Sequence, residues 1–352
     1  MARQHETFHR SECSKQGALL QAKGFDPAES LGHKDVRLMR ILFTGISSFT
    51  GYWFAKALAS AGHQIVAPLS GSLQRYQTVR RSRIEQLQSV CRLAPDAPFG
   101  SEAFLNLIRE SGPWDLMCHH AAEAANYRSP DFDVHRALLS NTLNLQAVLA
   151  ALQGAAGKGI VLTGTVFEND EGAGNDPLRA FSPYGLSKGL TWQVFRFYCE
   201  RAGLGLGKFV IPNPFGPWEE PRFTAYLMNT WKQRLVAAVK TPDYVRDNIH
   251  VDLLASVYLR FTEQVAGGHA RKIKINPSGY AESQAAFASR VAREVQTRLG
   301  WPCGLEFLAQ EDFSEPLART NLEPAAPLVP EWNERAAWDK FVEFYAQPTS
   351  AQ

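Results

Sequence analysis

From residue 39 onward, short apolar runs alternate with longer stretches whose apolar residues recur at helical spacing. Ile41-Leu42-Phe43, entered through Met39-Arg40, is the first run and predicts a strand that ends at Thr44-Gly45. Residues 52–61 carry helical spacing, Gly62-His63 closes that segment, and residues 64–67 predict a second strand. Helices are expected over 80–92 and 101–110, a strand over 115–118, and one long helix over 138–152 with leucine and alanine on one face. A strand over 159–162, a helix over 184–202 and a strand over 207–211 follow. Strands that alternate with helices of this length imply an α/β fold: a doubly wound parallel sheet covered on both faces. After Pro212 the rhythm breaks, and proline, tryptophan and other aromatic residues cluster. The expected division is a first domain over 38–212 and a smaller lobe over 213–352, some of whose segments return to the main sheet.

The chain has 352 residues, 45% hydrophobic and 20% charged, as expected of a soluble enzyme with a substantial core. A net charge of +2 supplies no strong basic field, which argues against nucleic acid or an anionic membrane as the main partner. No apolar stretch approaches the roughly 20 residues that span a bilayer. Cys13, Cys91, Cys118, Cys199 and Cys303 are scattered without a Cys-x-x-Cys pair. Neither a zinc site nor a disulfide framework is expected, and the cysteine usage fits the reducing cytoplasm. Residues 1–37 are polar, carry Glu6, Glu12, Asp26 and Glu29, and lack the apolar centre of a secretory signal. They are expected to form a poorly ordered or only partly helical extension.

Thr44-Gly45-Ile46-Ser47-Ser48-Phe49-Thr50-Gly51 joins the first strand to the first helix. Glycine in such a turn lets backbone N–H groups approach a pyrophosphate, and the helix N-terminus adds partial positive charge. A dinucleotide site of the Rossmann type is therefore expected, with Gly45, Ser47, Ser48, Phe49, Thr50 and Gly51 at the cofactor. The second strand should end beside the adenosine ribose, where an acid favours NAD and repels the 2′-phosphate of NADP. This chain offers Leu69-Ser70-Gly71-Ser72 and Arg75, with no acid. Ser70 and Arg75 are candidates for holding a phosphate, so NADP is expected ahead of NAD.

Ser182-Pro183-Tyr184-Gly185-Leu186-Ser187-Lys188 opens a helix and puts Tyr184 and Lys188 on one face. A phenol with a pKa of roughly 10 is a poor base at neutral pH, and an ammonium beside it favours the phenolate. Tyr184 can then exchange a proton with a substrate oxygen, and Lys188 can hold the nicotinamide ribose. With ten tyrosines in the chain, such a pair also arises by chance on a plain surface helix. The strand ending in Leu162-Thr163-Gly164-Thr165 weighs against chance, because Thr163 can bring a hydroxyl to the same substrate oxygen.

With these motifs in order, the chain resembles the extended short-chain dehydrogenase/reductases, in the branch that modifies nucleotide-activated sugars. The resemblance covers roughly residues 39–345. Thr44 to Gly51 is similar to the family's phosphate-binding turn, although Ser48 stands where a middle glycine is usual. Asp115 to Ala122 resembles its fourth strand and the loop beside the cofactor, which implies His120, Ala121 and Ala122 as cofactor neighbours. For His119 and His120 structural packing is the stronger reading, since no metal-ligand spacing accompanies them. Asn141 resembles the helix asparagine near the site, and Thr163, Tyr184 and Lys188 fall at the family's catalytic positions. Ile211 to Pro217 resembles the loop whose asparagine, here Asn213, approaches the sugar-nucleotide diphosphate. Val245 to Asp252 resembles an Arg-Asp-x-x-His-Val signature in which Arg246 pairs with phosphate and Asp247 and His250 brace the loop. Thr165 is a further candidate substrate contact.

The resemblance also narrows the reaction. Family dehydratases carry Asp-Glu after the catalytic threonine, whereas this chain has Gly164-Thr165, which disfavours dehydration. The expectation is reduction of a keto-sugar nucleotide with Tyr184 as proton donor, and a 4-epimerase using the same residues is the alternative. A non-catalytic NAD(P)-binding regulator is a further alternative, disfavoured because Thr163, Tyr184 and Lys188 are all present. A homodimer is implied, formed through the helices over 138–152 and 184–202.

Overall fold

The computed structural model describes residues 23–24, 37–175, 177–268 and 272–347. Seven parallel strands form the central sheet. They are β1 (Arg40–Thr44), β2 (Gln64–Pro68), β3 (Cys91–Ala94), β4 (Leu116–His119), β5 (Gly159–Thr165), β6 (Gly205–Ile211) and β8 (Lys272–Ile275). Their order is β8-β6-β5-β4-β1-β2-β3, so the direction of winding reverses beside β1, where a ligand crevice opens at the strand ends. The poorly ordered extension expected over 1–37 falls largely outside the described residues. Within it, Lys23–Gly24 adds a parallel edge strand beside β8.

All seven positions of β5 are buried, which is why a strand covered on both faces reads as an unbroken apolar run. One face packs against α1 (Phe49–Ser60) and α8 (Val251–Gly267), where Phe54 stacks on Tyr258 at 4.0 Å and Phe43, Phe209 and Phe261 close the layer. The other face is covered by α3 (Glu102–Ser111), α5 (Leu145–Gly154) and α6 (Pro183–Ala202). Among the described residues no helix is long and apolar enough to cross a membrane.

Two expected elements are redrawn. The single helix over 138–152 is two: α4 (Val134–Asn141) and α5, separated at Asn144, whose φ is +49°. Thr142 Oγ1 donates back to Leu138 O at 2.7 Å at the end of α4, and the Asn144 side chain donates across the fold to Gly100 O at 2.8 Å, which holds the break. The helix expected over 80–92 is α2 (Thr78–Leu87), and its expected end becomes strand β3.

The remaining segments build a second lobe. A mixed sheet centred on β7 (Val245–His250) joins Asn213–Phe215, Tyr280–Ser283, Ala318–Thr320 and Ala173–Gly174. Helices α7 (Phe223–Lys232), α9 (Gln284–Leu299) and α10 (Glu334–Ala346) enclose an aromatic core of Phe215, Trp231, Phe287, Trp338 and Phe341. Helix α8 and strand β8 leave this stretch of sequence and complete the main sheet.

Candidate active site

The turn between β1 and α1 is held by close contacts. Gly45 has φ +86°, and a Cβ there would lie 2.7 Å from Ala121 N; one on Gly51 would lie 2.2 Å from Gly45 O. Only glycine fits either place. Ser48 caps α1, accepting from Gly51 N at 3.1 Å and donating to Gly45 O at 2.9 Å. The serine hydroxyl is therefore turned into the loop, where a middle glycine would have offered nothing. Ser47 is half-buried and its carbonyl accepts from the buried Arg83. Phe49 and Thr50 are buried at the start of α1. This turn, with its glycines and helix N-terminus, fits a dinucleotide pyrophosphate.

Beyond β4, Thr44 Oγ1 accepts from the backbone N–H of His120 (3.1 Å) and Ala121 (3.0 Å), fixing the loop that carries Ala121 and Ala122 against the turn. His119 packs between Phe99 and Phe195 and reaches Asn141 O at 3.2 Å. Asn141 is buried and braces the same loop, accepting from Glu123 N at 2.9 Å and donating to Thr191 Oγ1 at 3.3 Å. His120 lies between Thr163 and the turn, with Nδ1 at 2.9 Å from Thr163 Oγ1. Burial depresses both imidazoles to about 3, with the Lys188 charge adding to it. Both rings are neutral at physiological pH.

Helix α6 starts at Ser182, whose side chain accepts from Gly185 N at 3.0 Å, and Pro183 occupies its first turn. This fixes Tyr184 and Lys188 on the face toward β5, whose end carries Thr163. The Tyr184 ring meets Tyr127 and Phe132 edge-on, with centroids 5.6 and 5.8 Å away. Burial raises its phenol above the usual tyrosine range; Glu168 and Tyr127 add to this and Arg222 opposes it. That is opposite in sign to the lowering expected from Lys188. Lys188 is itself buried and drawn down to about 8 by desolvation, opposed by Glu168 and assisted by Lys208. Thr165 is buried, its N–H donating to Glu168 Oε1 at 2.8 Å.

Four charged groups near this pair were not singled out from the sequence. Glu168 and Glu171 each lie 2.6 Å from Lys208 Nζ in the interior, and Arg319 donates to the carbonyls of Glu168 and Glu171. Lys208 could have been suspected, because a lysine amid Gly-Leu-Gly-Lys-Phe-Val-Ile on a strand buried on both faces requires a counter-charge.

At the end of β2, Leu69 is core, 2% exposed, and does not face the ribose position. Ser70 and Arg75 come together there with Gly71, Tyr76, Gln77 and Arg80 around a cavity of about 200 Å³, and no acidic residue lines it.

In the second lobe Asn213 is half-buried, its amide donating to Asp247 O at 3.4 Å. Arg246 is engaged elsewhere than expected. Its guanidinium donates to Val245 O, Pro316 O and Leu317 O and pairs with Glu315 at 2.8 Å, over the Tyr244 ring. These bonds fasten β7 to residues 315–317. Asp247 accepts from Gly279 N and Asn321 N, and His250 packs among Phe215 and Trp338. Among the described residues no three His, Cys, Asp or Glu side chains gather as a metal site.

Residues 41–275 match the NAD dependent epimerase/dehydratase family. The chain belongs to that family. Solved structures of similar fold include the UDP-glucose-4-epimerase of Stenotrophomonas maltophila with bound NAD and formylated UDP-arabinopyranose. That likeness is 18% identical over 88% of this chain and 98% of that one, with a TM-score of 0.68. The UDP-glucuronic acid 4-epimerase of Bacillus cereus, in complex with UDP-glucuronic acid and NAD, is 16% identical over 88% and 99%, with a TM-score of 0.66. The dTDP-glucose 4,6-dehydratase of Streptomyces venezuelae with NAD is 18% identical over 88% and 97%, with a TM-score of 0.65. At these identities the likeness is one of fold. A comparison with curated proteins by sequence gives no match. Within the epimerase/dehydratase family, membership covers epimerases and dehydratases alike and leaves the particular reaction to the side chains.

Proposed function

We propose that this family member reduces a keto-sugar nucleotide with NADPH, using Tyr184 as the proton donor. The observation that carries the reading is the cavity at Ser70, Arg75 and Arg80. Two guanidiniums and a hydroxyl without a carboxylate suit a 2′-phosphate and offer nothing that repels it. A cofactor exchanged at every cycle is the form a reductase uses.

The nicotinamide, when bound, supplies the hydride. Tyr184 remains protonated because burial raises its phenol, which suits donation to a developing alkoxide. Arg222 provides positive charge for the phenolate left behind, and Lys188 is assigned to hold the nicotinamide ribose. Thr163, at the end of β5, is the second hydroxyl assigned to the substrate oxygen, and Thr165 and Asn213 are assigned to the sugar nucleotide. Dehydration is disfavoured, because Glu168, the carboxylate whose charge acts on Tyr184 and Lys188, is committed to Lys208 and the Thr165 N–H.

The second reading is a nucleotide-sugar 4-epimerase with the same Thr163, Tyr184 and Lys188; its support is the epimerase fold likeness with bound NAD. The separating experiment is to denature freshly purified protein and identify any released nicotinamide by mass spectrometry. Protein that emerges empty and then binds NADPH more tightly than NADH supports the reductase. Stoichiometric retained NAD overturns it in favour of the epimerase.

A homodimer is part of the same proposal. Leu139 on α4, Leu143 just after it, and Leu186, Leu190 and Phe197 on α6 are exposed and supply an apolar face for a four-helix contact. Sedimentation of the intact chain as a monomer at micromolar concentration would remove this part.

A further inference from the structure

His120 uses both ring nitrogens inside the protein. Nδ1 lies 2.9 Å from Thr163 Oγ1, and Nε2 lies 3.0 Å from Ser48 Oγ and 3.1 Å from Thr50 Oγ1. The ring is 9% exposed and wedged against Phe43 and Phe54, with centroids 6.0 and 5.3 Å away. A histidine kept only for packing needs no such complete set of partners.

The direction of each bond follows from counting protons. Ser48 spends its hydroxyl proton on Gly45 O, since a carbonyl cannot donate. Toward His120 the serine oxygen is therefore an acceptor, which places the imidazole proton on Nε2, shared between Ser48 and Thr50. Nδ1 is then bare and accepts the proton of Thr163. The same counting works next door: Thr44 Oγ1 already accepts two N–H groups, so it donates to His119 Nδ1, 3.2 Å away. His119 carries its proton on Nε2, which donates to Asn141 O.

We propose that His120 is a positioning residue that aims the Thr163 hydroxyl and ties it to the cofactor turn. The assignment rests on the function proposed above only for its catalytic consequence. With its proton held by His120, Thr163 has lone pairs left for other partners, the buried Tyr258 hydroxyl among them and, in the proposed reaction, the substrate oxygen. It can accept from an alcohol as it stands, whereas donating to a ketone requires the hydroxyl to turn away from His120. Tyr184 is then the sole ready donor to the ketone. Because the other nitrogen rests on Ser48 and Thr50, the orientation of Thr163 is linked to the turn that fits the pyrophosphate.

The test is ¹⁵N NMR of the full-length chain labelled at histidine nitrogens, with His120 assigned by its loss in His120→Gln. The expected spectrum is a neutral ring protonated at Nε2 and unchanged between about pH 8 and about pH 5. Thr163→Val should move the His120 Nδ1 resonance, and Ser48→Ala the Nε2 resonance. A ring protonated at Nδ1, or a spectrum indifferent to Thr163→Val, overturns the proposal. Once a substrate is in hand, His120→Leu should lower kcat about tenfold at little change in KM, with His120→Asn recovering most of the loss through an acceptor near the Nδ1 position. Equal kcat in the Leu and Asn variants would reduce His120 to packing. The spectrum reads the bond with or without a substrate, so a failure to find turnover counts against the proposed reaction and not against this contact.

Discussion

Lys208 and Glu168 form a buried ion pair, Nζ to Oε2 2.6 Å, directly against Gly164 in the strand that carries Thr163. A Cβ on Gly164 would lie 2.8 Å from Lys208 Cε and 2.9 Å from Glu168 Oε1, so the pair fills the space a side chain would take. The chain of charge continues to Glu171, whose other oxygen meets Lys274 at 3.1 Å and Asn276 at 2.9 Å. Two cations therefore balance two carboxylates. Removing one member strands a buried charge, which costs about 3–5 kcal/mol. Lys208→Met is expected to lower the urea midpoint accordingly, and adding Glu168→Gln should recover part of the loss. Losses that simply add in the double variant would show that the two residues do not act as a pair.

Tyr184→Phe removes one oxygen and leaves the ring contacts with Tyr127 and Phe132. Turnover is expected to fall by about 10³-fold or more, in the range of lost general acid catalysis, with cofactor affinity within a few-fold of wild type. Kinetics and calorimetric cofactor titration on one preparation check this. Full activity in the phenylalanine variant would displace Tyr184 from the chemistry.

Cofactor choice is testable at Ser70 rather than at Leu69. Leu69 is core, so an aspartate there would bury a charge and unfold the neighbourhood before it changed specificity. Ser70 is exposed at the mouth of the arginine-lined cavity, where a carboxylate repels a 2′-phosphate and accepts a ribose hydroxyl. Ser70→Asp should weaken NADPH relative to NADH by about tenfold or more, and Arg75→Ala with Arg80→Ala should act in the same direction. Unchanged affinity for both cofactors in both variants would remove the cavity from cofactor recognition.

What could be read in advance follows from how local each signal is. The strand–turn–helix at Gly45 and the Tyr184–Lys188 spacing are written in neighbouring residues, and the sheet follows from the alternation around them. The break at Asn144 was not legible, because it depends on a bond to Gly100 across the fold. Strand β3 hides in the polar end of a helical pattern. The engagement of Arg246 by residues 315–317 and the Lys208 network are contacts between distant segments, to which spacing is blind. His120 was legible as a residue beside the cofactor turn but not as a partner of Thr163, since that bond joins two strand ends.

Lys188 gives the chain a pH dependence of definite sign. Its ammonium is held at about 8, against an ordinary 10.5, chiefly because burial disfavours the charge. If the ammonium holds the ribose, turnover is full below about 8 and declines as pH rises through that value. Lys188→Arg, which stays charged, should move this alkaline limb upward at a lower plateau. Stability runs the other way. Between about 8 and 10.5 the unfolded chain binds more protons at this position than the folded chain does, so the folded state gains stability as pH rises across that window. The gain is at most on the order of 3 kcal/mol. Lys188→Met abolishes it, so the difference in urea midpoint between the two proteins should shift steadily toward wild type from pH about 7.5 to about 10. A difference that is flat over that interval would mean that Lys188 is not held deprotonation-prone by burial, and the alkaline limb would need another group.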